Sequence, residues 1–122
     1  MSTRILVCDD DPDMLRLVGL QLKKAGYQVL YAGDGLTSVA KAHKEQPDLI
    51  ILDVRMPAGD GFSVIERLRK STETWHIPII IVSSDSREVL GDLLDDSSIS
   101  RFLQKPVEAH ELLMAVHEEL DD

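Results

Sequence analysis

The chain has 122 residues, of which 43% are hydrophobic and 29% charged, so it is not an intrinsically disordered segment and can bury the core of one domain. No apolar stretch approaches the roughly 20 residues needed to cross a bilayer, so we expect no membrane insertion. The formal net charge of −9 argues against direct nucleic-acid binding, which relies on clustered Lys and Arg. The single cysteine, Cys8, excludes an internal disulfide and favours a cytoplasmic location.

Strand and helix patterns alternate through the first half of the chain. Residues 5–8 are an unbroken apolar run, as expected for a strand that is covered on both faces. Asp11 is placed to cap a helix with Pro12 at its first position, and Gly26 is placed to end it. Residues 28–46 repeat this order with a second strand and a second helix.

The same alternation continues through the second half. Residues 49–54 are the most apolar predicted strand, and a helix follows the loop that ends at Asp60. A fourth strand at 77–82 precedes a helical stripe that is weakened by Gly91. A fifth strand at 101–104 and a last helix complete the pattern. Five strands alternating with five helices predict an α/β fold, a five-stranded parallel sheet with helices on both faces.

Polar residues stand at the carboxyl ends of four predicted strands. They are Asp9 and Asp10 after the first, Asp53 in the third, Ser83 after the fourth and Lys105 after the fifth. In a parallel sheet these ends share one edge, where ligands bind. Each residue alone is as well explained by a helix cap, a turn or a surface position. Their joint occurrence at four strand ends favours a functional site.

Three carboxylates at one edge repel each other unless proton uptake or a cation neutralises them. Oxygen ligands with room for water and a phosphate suit Mg²⁺ better than Ca²⁺. A carboxylate can be the nucleophile in phosphoryl transfer, with the metal and Lys105 holding the charge on the transferring oxygens. Ser83 can donate a hydrogen bond to the phosphoryl group. We therefore predict Mg²⁺-dependent phosphorylation of one of these aspartates.

These residues also give the chain its resemblance to the receiver domain of two-component response regulators. The matching stretches are ILVCDDDPDM, DLIILDVRMPAGDGF, IPIIIVSS and FLQKP. The separations match as well, with 44 residues from Asp9 to Asp53, 30 from Asp53 to Ser83 and 22 from Ser83 to Lys105. The resemblance covers nearly the whole chain. It implies a single receiver domain over residues 1–122, with the flavodoxin-like, doubly wound strand order 2-1-3-4-5.

The resemblance implies a chemical role for each residue of the predicted site. Asp53 corresponds to the phospho-acceptor, and Asp9 and Asp10 correspond to the residues that hold Mg²⁺ together with it. The backbone carbonyl of Arg55 is the expected further metal ligand. Lys105 corresponds to the lysine that contacts the phosphate.

The resemblance also implies a switch. Ser83 corresponds to the residue that reorients toward the phosphate, and Phe102 to a rotating aromatic residue, which must act through packing because it has no hydroxyl. The Lys105–Pro106 bond is expected to be cis. Ser84 stands where the family often has Ala. The segment GDLLDDSSISRF departs from the family pattern, because it has no small Gly-Ala-type turn before the fifth strand.

A receiver domain is not a conventional enzyme, although it catalyses its own aspartyl phosphorylation and dephosphorylation. The implied phosphoryl donor is a sensor histidine kinase or a histidine phosphotransfer protein. Phosphorylation then switches the face of the fourth helix, fifth strand and fifth helix, which controls a downstream output protein or output domain and is a candidate homodimer surface. Since the sequence ends after the last helix, we expect a separate output partner, unless the chain is a fragment of a longer protein.

Two alternatives stay open. A haloacid-dehalogenase-like phosphatase also forms an aspartyl phosphate with Mg²⁺, and Asp9-x-Asp11 superficially fits its nucleophile motif. That class needs a further acidic pair after a later strand, whereas only a helix is predicted after Lys105. A degenerate receiver would bind partners without phosphorylation, and the presence of the acidic pair Asp9 and Asp10, of Asp53 and of Lys105 argues against it.

Overall fold

The computed structural model describes residues 2–54, 61–86, 90–91 and 99–121, apart from the side chains of Phe62 and Asp121. Five strands lie within these residues. They are β1 (Arg4–Cys8), β2 (Gln28–Ala32), β3 (Leu49–Asp53), β4 (Ile79–Ser83) and β5 (Ile99–Gln104).

The described residues also contain four helices. They are α1 (Pro12–Lys24), α2 (Gly35–Glu45), α3 (Gly61–Arg69) and α4 (Ala109–Asp121). The fourth predicted helix lies outside the described residues except at Leu90 and Gly91, so α4 is the last of the five predicted helices. Within the described ranges, none of these helices has the length and apolar character of a membrane span.

The strands form one sheet in the order β2-β1-β3-β4-β5, and every neighbouring pair is parallel. This confirms the predicted α/β fold and its strand order. Cys8 of β1 pairs with Leu52 of β3. The next residues along the chain, Asp9 and Asp53, therefore lie side by side at the carboxyl edge of the sheet.

Hydrophobic clusters cover both faces of the sheet, as predicted. Leu6 and Cys8 of β1 point into the cluster beneath α2 and α3, whereas Ile5 and Val7 point into the cluster beneath α1 and α4. Successive residues of a strand face opposite sides, so a strand that is covered twice must be apolar throughout. All residues of β3 and β4 are buried for the same reason.

The cap residues of α1 confirm the predicted helix bounds. The Asp11 carboxylate accepts a hydrogen bond from the Asp13 N–H at 2.9 Å, and Pro12 takes the first helical position. Gly26 follows the C-cap with a φ of 99°, which an L side chain rarely adopts. Because the helix begins right after Asp11, the two residues between β1 and this cap stay at the sheet edge.

The start of β4 differs from the prediction. The strand begins at Ile79 rather than at residue 77. The Ile77 N–H donates to the carbonyl of Thr74 at 3.1 Å, and the Ile77 carbonyl accepts from the Arg69 guanidinium at 3.0 Å. Pro78 has no N–H to donate to a neighbouring strand. These contacts keep Ile77 in the preceding turn.

The start of β5 lies two residues earlier than predicted, at Ile99. Ile99 pairs with Ile79, but the next pair joins Arg101 to Ile80. Ser100 therefore has no partner residue in β4. A β-bulge absorbs such an extra residue. The alternation of apolar residues that marks a strand is lost there, which explains why the prediction began after it.

Candidate functional site

The carboxyl edge of the sheet carries a cluster of three aspartates. Asp9 and Asp10 follow β1, and Asp53 ends β3. One carboxylate oxygen of each residue lies within 4.8 Å of the other two, close enough for all three to ligate one cation. Asp9 and Asp53 are only 6% and 7% exposed, whereas Asp10 is exposed. The cluster exists because β1 and β3 are neighbours in the sheet.

The ligand chemistry of this cluster fits a hard divalent cation. Carboxylates offer only oxygen atoms, which such ions prefer. Because Asp9 and Asp53 are buried, water screens their repulsion poorly, and a cation relieves it. The exposed Asp10 leaves one side of the cluster open to water. Arg55, whose carbonyl is a predicted further ligand, lies outside the described residues.

Lys105 enters the cluster from the end of β5. Its Nζ lies 2.9 Å from Oδ2 of Asp9 and 3.3 Å from Oδ2 of Asp53. Burial opposes the charged form of the lysine, but the hydrogen bond to Asp9 and the charge of Asp53 outweigh burial and raise the pKa of Lys105 above its ordinary value. The Lys105–Pro106 peptide bond is cis.

The raised pKa of Lys105 means that the charged lysine stabilises the folded protein. The contribution of the lysine is fully present below the pKa of the unfolded chain, and it is lost only as the pH rises through the higher folded value. Lys105 is therefore an ammonium throughout the neutral range. It offsets part of the negative charge of the two buried carboxylates.

Asp9 is held from two sides. The Asp11 N–H donates to Oδ1 of Asp9 at 3.0 Å, while Lys105 donates to Oδ2. The Asp9 N–H in turn donates to the carbonyl of Ala32 in β2 at 3.1 Å. The sequence predicts Asp11 only as a helix cap. Its contact with Asp9 depends on how the chain turns between β1 and α1, and no sequence pattern signals it.

Ser83 reaches the same edge but is fully buried. Its Oγ accepts a hydrogen bond from the Asp85 N–H at 3.1 Å, and its carbonyl accepts one from the Lys105 N–H at 2.8 Å. Phe102, the other predicted switch residue, is half-buried in β5 and packs against the hydrophobic cluster beneath α2 and α3. Ser83 thus lies close to Lys105, whereas Phe102 lies within the sheet.

A cavity of about 410 Å³ opens on the aspartate cluster. Its polar part is lined by Asp9, Asp53, Ser84 and Lys105. Its apolar part is lined by α1 and by the segment after Lys105, through Met14, Leu17, Val18, Pro106 and Val107. The sequence does not predict this apolar part, because its two walls are far apart along the chain.

The fold and the site together place the chain in a family. A sequence profile of the family described as response regulator receiver domain matches residues 5–117. Since this match spans almost the whole chain, the protein belongs to the response regulator receiver domain family. The predicted resemblance and the predicted general function are confirmed.

Individual relatives agree with this family. Protein PilH of Pseudomonas aeruginosa is 36% identical over 114 residues, which cover 93% of this chain and 94% of PilH. The DNA-binding dual master transcriptional regulator RpaA of Synechocystis sp. is 41% identical over 118 residues, but the match spans only 47% of RpaA. The chain thus has about half the length of that relative.

A solved structure of a similar receiver domain contains a metal ion. The receiver domain of sensor histidine kinase PA1611 from Pseudomonas aeruginosa has a TM-score of 0.89 and 26% identity, covering 100% of both chains. That structure holds a magnesium ion coordinated in the active site cleft. In the described part of this chain, Asp9, Asp10 and Asp53 form the cluster that can hold a metal ion.

Proposed function

We propose that residues 1–122 form one receiver domain that is phosphorylated on Asp53 by a sensor histidine kinase or a histidine phosphotransfer protein. The observation that carries the proposal is the convergence of three carboxylates and the Lys105 ammonium at one sheet edge. Family membership supports it, because receiver domains take phosphoryl groups from histidine kinases and regulate output domains.

The same proposal assigns Mg²⁺ as the metal. Asp9, Asp10 and Asp53 would hold it, with the backbone carbonyl of Arg55 as a further ligand. The all-oxygen donor set supports this choice, as does the magnesium ion in the PA1611 receiver domain. When bound, the metal neutralises negative charge on the phosphoryl oxygens.

The transfer itself is a displacement at phosphorus. A carboxylate oxygen of Asp53 attacks the phosphorus of the partner's phosphohistidine, so a P–O bond forms as the P–N bond breaks. The departing imidazole keeps the electron pair and takes a proton from water. Lys105 supplies positive charge beside the attacking oxygen. In the later hydrolysis, water attacks the phosphorus and releases inorganic phosphate, which restores the free carboxylate of Asp53.

The output step rests on Ser83 and Phe102. The Ser83 hydroxyl accepts the Asp85 N–H, so turning it to donate to a phosphoryl oxygen requires this hydrogen bond to break. Phe102 can follow such a change only through its apolar contacts in β5. Two arrangements of these residues give the domain two states, between which phosphorylation selects. The face of β5, α4 and the fourth predicted helix then contacts an output protein, an output domain or a second copy of the chain.

A labelling experiment tests the proposal. With Mg²⁺ and acetyl phosphate, intact-mass spectrometry should show one added phosphoryl group on the wild-type chain. Chelation of Mg²⁺ with EDTA, or the substitution Asp53→Ala, should abolish the addition. Asp13→Asn, which removes an exposed carboxylate from α1, is the matched control and should label normally.

The outcomes separate the alternatives. A phosphoryl group that peptide mapping locates on Asp9 would indicate the haloacid-dehalogenase-like phosphatase. Absence of both labelling and Mg²⁺ binding would indicate a degenerate receiver. Full labelling of the Asp53→Ala variant would contradict Asp53 as the acceptor.

A further inference from the structure

The cavity beside Asp53 contains a hydroxyl group that the steps above do not use. Ser84 lines this cavity together with Asp53 and Lys105. The residue is exposed. In the part of the chain that the structure describes, no hydrogen bond holds its side chain. A hydroxyl in this position can donate to an incoming group without first losing a partner.

Ser83, its neighbour in sequence, is in the opposite situation. Its side chain is 0% exposed and its Oγ is engaged by the Asp85 N–H at 3.1 Å. Adjacent residues at the end of an extended strand direct their side chains to opposite sides. One of the two serines is therefore turned into the protein, while the other faces the cavity.

The strand register places Ser84 at the same edge of the sheet as Asp53, in the cavity that both residues line. Asp53 pairs with Val82 across β3 and β4, so Ser84 lies two residues further along. Two extended residues span about 6.6 Å and adjacent strands lie about 4.8 Å apart, so Ser84, one residue past the end of β4, is at most a short distance along the edge from Asp53.

The neighbouring strand leads to the same place. Ser83 pairs with Gln104 across β4 and β5, so the residues that follow them, Ser84 and Lys105, leave the sheet next to each other. The Lys105 ammonium already lies 3.3 Å from the Asp53 carboxylate. Ser84 and Lys105 therefore line the cavity beside Asp53 as neighbours.

We propose that the Ser84 hydroxyl donates a hydrogen bond to a phosphoryl oxygen on Asp53, beside Lys105 and in addition to any contact from Ser83. This inference rests on the proposed phosphorylation of Asp53. Ser84 already faces the cavity, whereas Ser83 is turned into the protein and must rotate to reach the phosphoryl group. Hydrogen bonds to charged groups are among the stronger ones in proteins, and losing one weakens binding by about tenfold or more.

The test measures binding of beryllofluoride, a mimic of the phosphoryl group, to the full chain in the presence of Mg²⁺ by calorimetry. Ser84→Ala should weaken this binding about tenfold. Ser84→Thr, which keeps the hydroxyl, should restore most of it. Ser100→Ala removes an exposed hydroxyl at the start of β5 and should change nothing. Binding of Mg²⁺ alone should be equal in all of these variants, because the proposal gives Ser84 no role as a metal ligand.

Each other outcome has a definite meaning. Unchanged beryllofluoride binding by Ser84→Ala, with binding abolished in Asp53→Ala, would overturn this inference and leave the proposed function intact. Equal weakening in the Ala and Thr variants, or an equal loss of Mg²⁺ affinity in Ser84→Ala, would also overturn it. Failure of the wild-type chain to bind beryllofluoride at all would count against the proposed function, and this inference would fall with it.

Discussion

Lys105 lies closer to Asp9 than to Asp53. The distances from its Nζ to the two Oδ2 atoms are 2.9 Å and 3.3 Å. The other oxygen of Asp9 accepts the Asp11 N–H at 3.0 Å, so both oxygens of this carboxylate are already engaged. A cation held by the three aspartates must therefore share an Asp9 oxygen with one of these donors, and Lys105 and the metal oppose each other at this residue.

The substitution Lys105→Met should separate these two effects. Removing the ammonium takes away a positive charge beside the metal ligands, so Mg²⁺ affinity should rise about fivefold, which corresponds to about 1 kcal/mol. The rate of labelling by acetyl phosphate should fall, because Lys105 no longer offsets charge on the transferring oxygens. Calorimetry and intact-mass spectrometry give the two readouts.

Lys70→Met is the matched control for this change. It removes the same charge from an exposed lysine after α3, whose Nζ lies 3.8 Å from Glu66. Neither Mg²⁺ affinity nor labelling should change in this variant. Weaker Mg²⁺ binding by Lys105→Met would show that the lysine positions Asp9 rather than opposing the metal.

Asp10→Asn should stabilise the protein in EDTA while weakening its metal binding. The substitution removes one of three carboxylates whose oxygens lie within 4.8 Å of each other, and so reduces their repulsion. The Tm in EDTA should rise by a few degrees, and the further rise on adding Mg²⁺ should largely disappear. Thermal unfolding followed by circular dichroism measures both. Asp13→Asn should leave the Mg²⁺-dependent rise unchanged, and a lower Tm in EDTA for Asp10→Asn would contradict the prediction.

Cys8 should resist thiol reagents in the folded protein. Burial is the main reason that the pKa of this thiol is raised to about 12; a hydrogen bond with Ser38 lowers the pKa and the charge of Asp9 raises it. The thiolate, which is the reactive form of the cysteine, is therefore scarce at pH 8. Reaction with Ellman's reagent should therefore be slow in buffer and fast in concentrated guanidinium chloride. Because the chain has one cysteine, a fast reaction in buffer would show directly that β1 opens readily.

The effect of Gly19→Ala on the free energy of unfolding should change sign when Tyr31 is replaced by Ala. An added Cβ at Gly19 would lie 2.2 Å from the Tyr31 hydroxyl oxygen and 2.8 Å from a ring carbon, so the wild-type background should lose about 1–3 kcal/mol of unfolding free energy. In a Tyr31→Ala background the same substitution should gain about 1 kcal/mol, because Ala favours the interior of a helix over Gly. Urea denaturation of the four variants measures both values. Equal effects in the two backgrounds would show that the Tyr31 ring moves aside without cost.

The sequence alone determined the fold class and the membership of the site. Unbroken apolar runs such as residues 79–82 mark buried parallel strands, and Asp9, Asp53 and Ser83 follow such runs. Parallel strands bring their carboxyl ends to one edge, so the convergence of these residues follows from local patterns and one rule of topology. The strand order itself came from the family resemblance, because periodicity does not say which strands are neighbours.

The tertiary structure decided the contacts within the site. The closer approach of Lys105 to Asp9, the engaged hydroxyl of Ser83 and the cavity that holds Ser84 all depend on distances between segments that are far apart in the chain. The starts of β4 and β5 also depend on the tertiary structure. The contact of Arg69 with Ile77 fixes the first, and the bulge at Ser100 fixes the second. Sequence patterns report which side of an element is buried, but the partner of each polar atom is settled only when those elements pack.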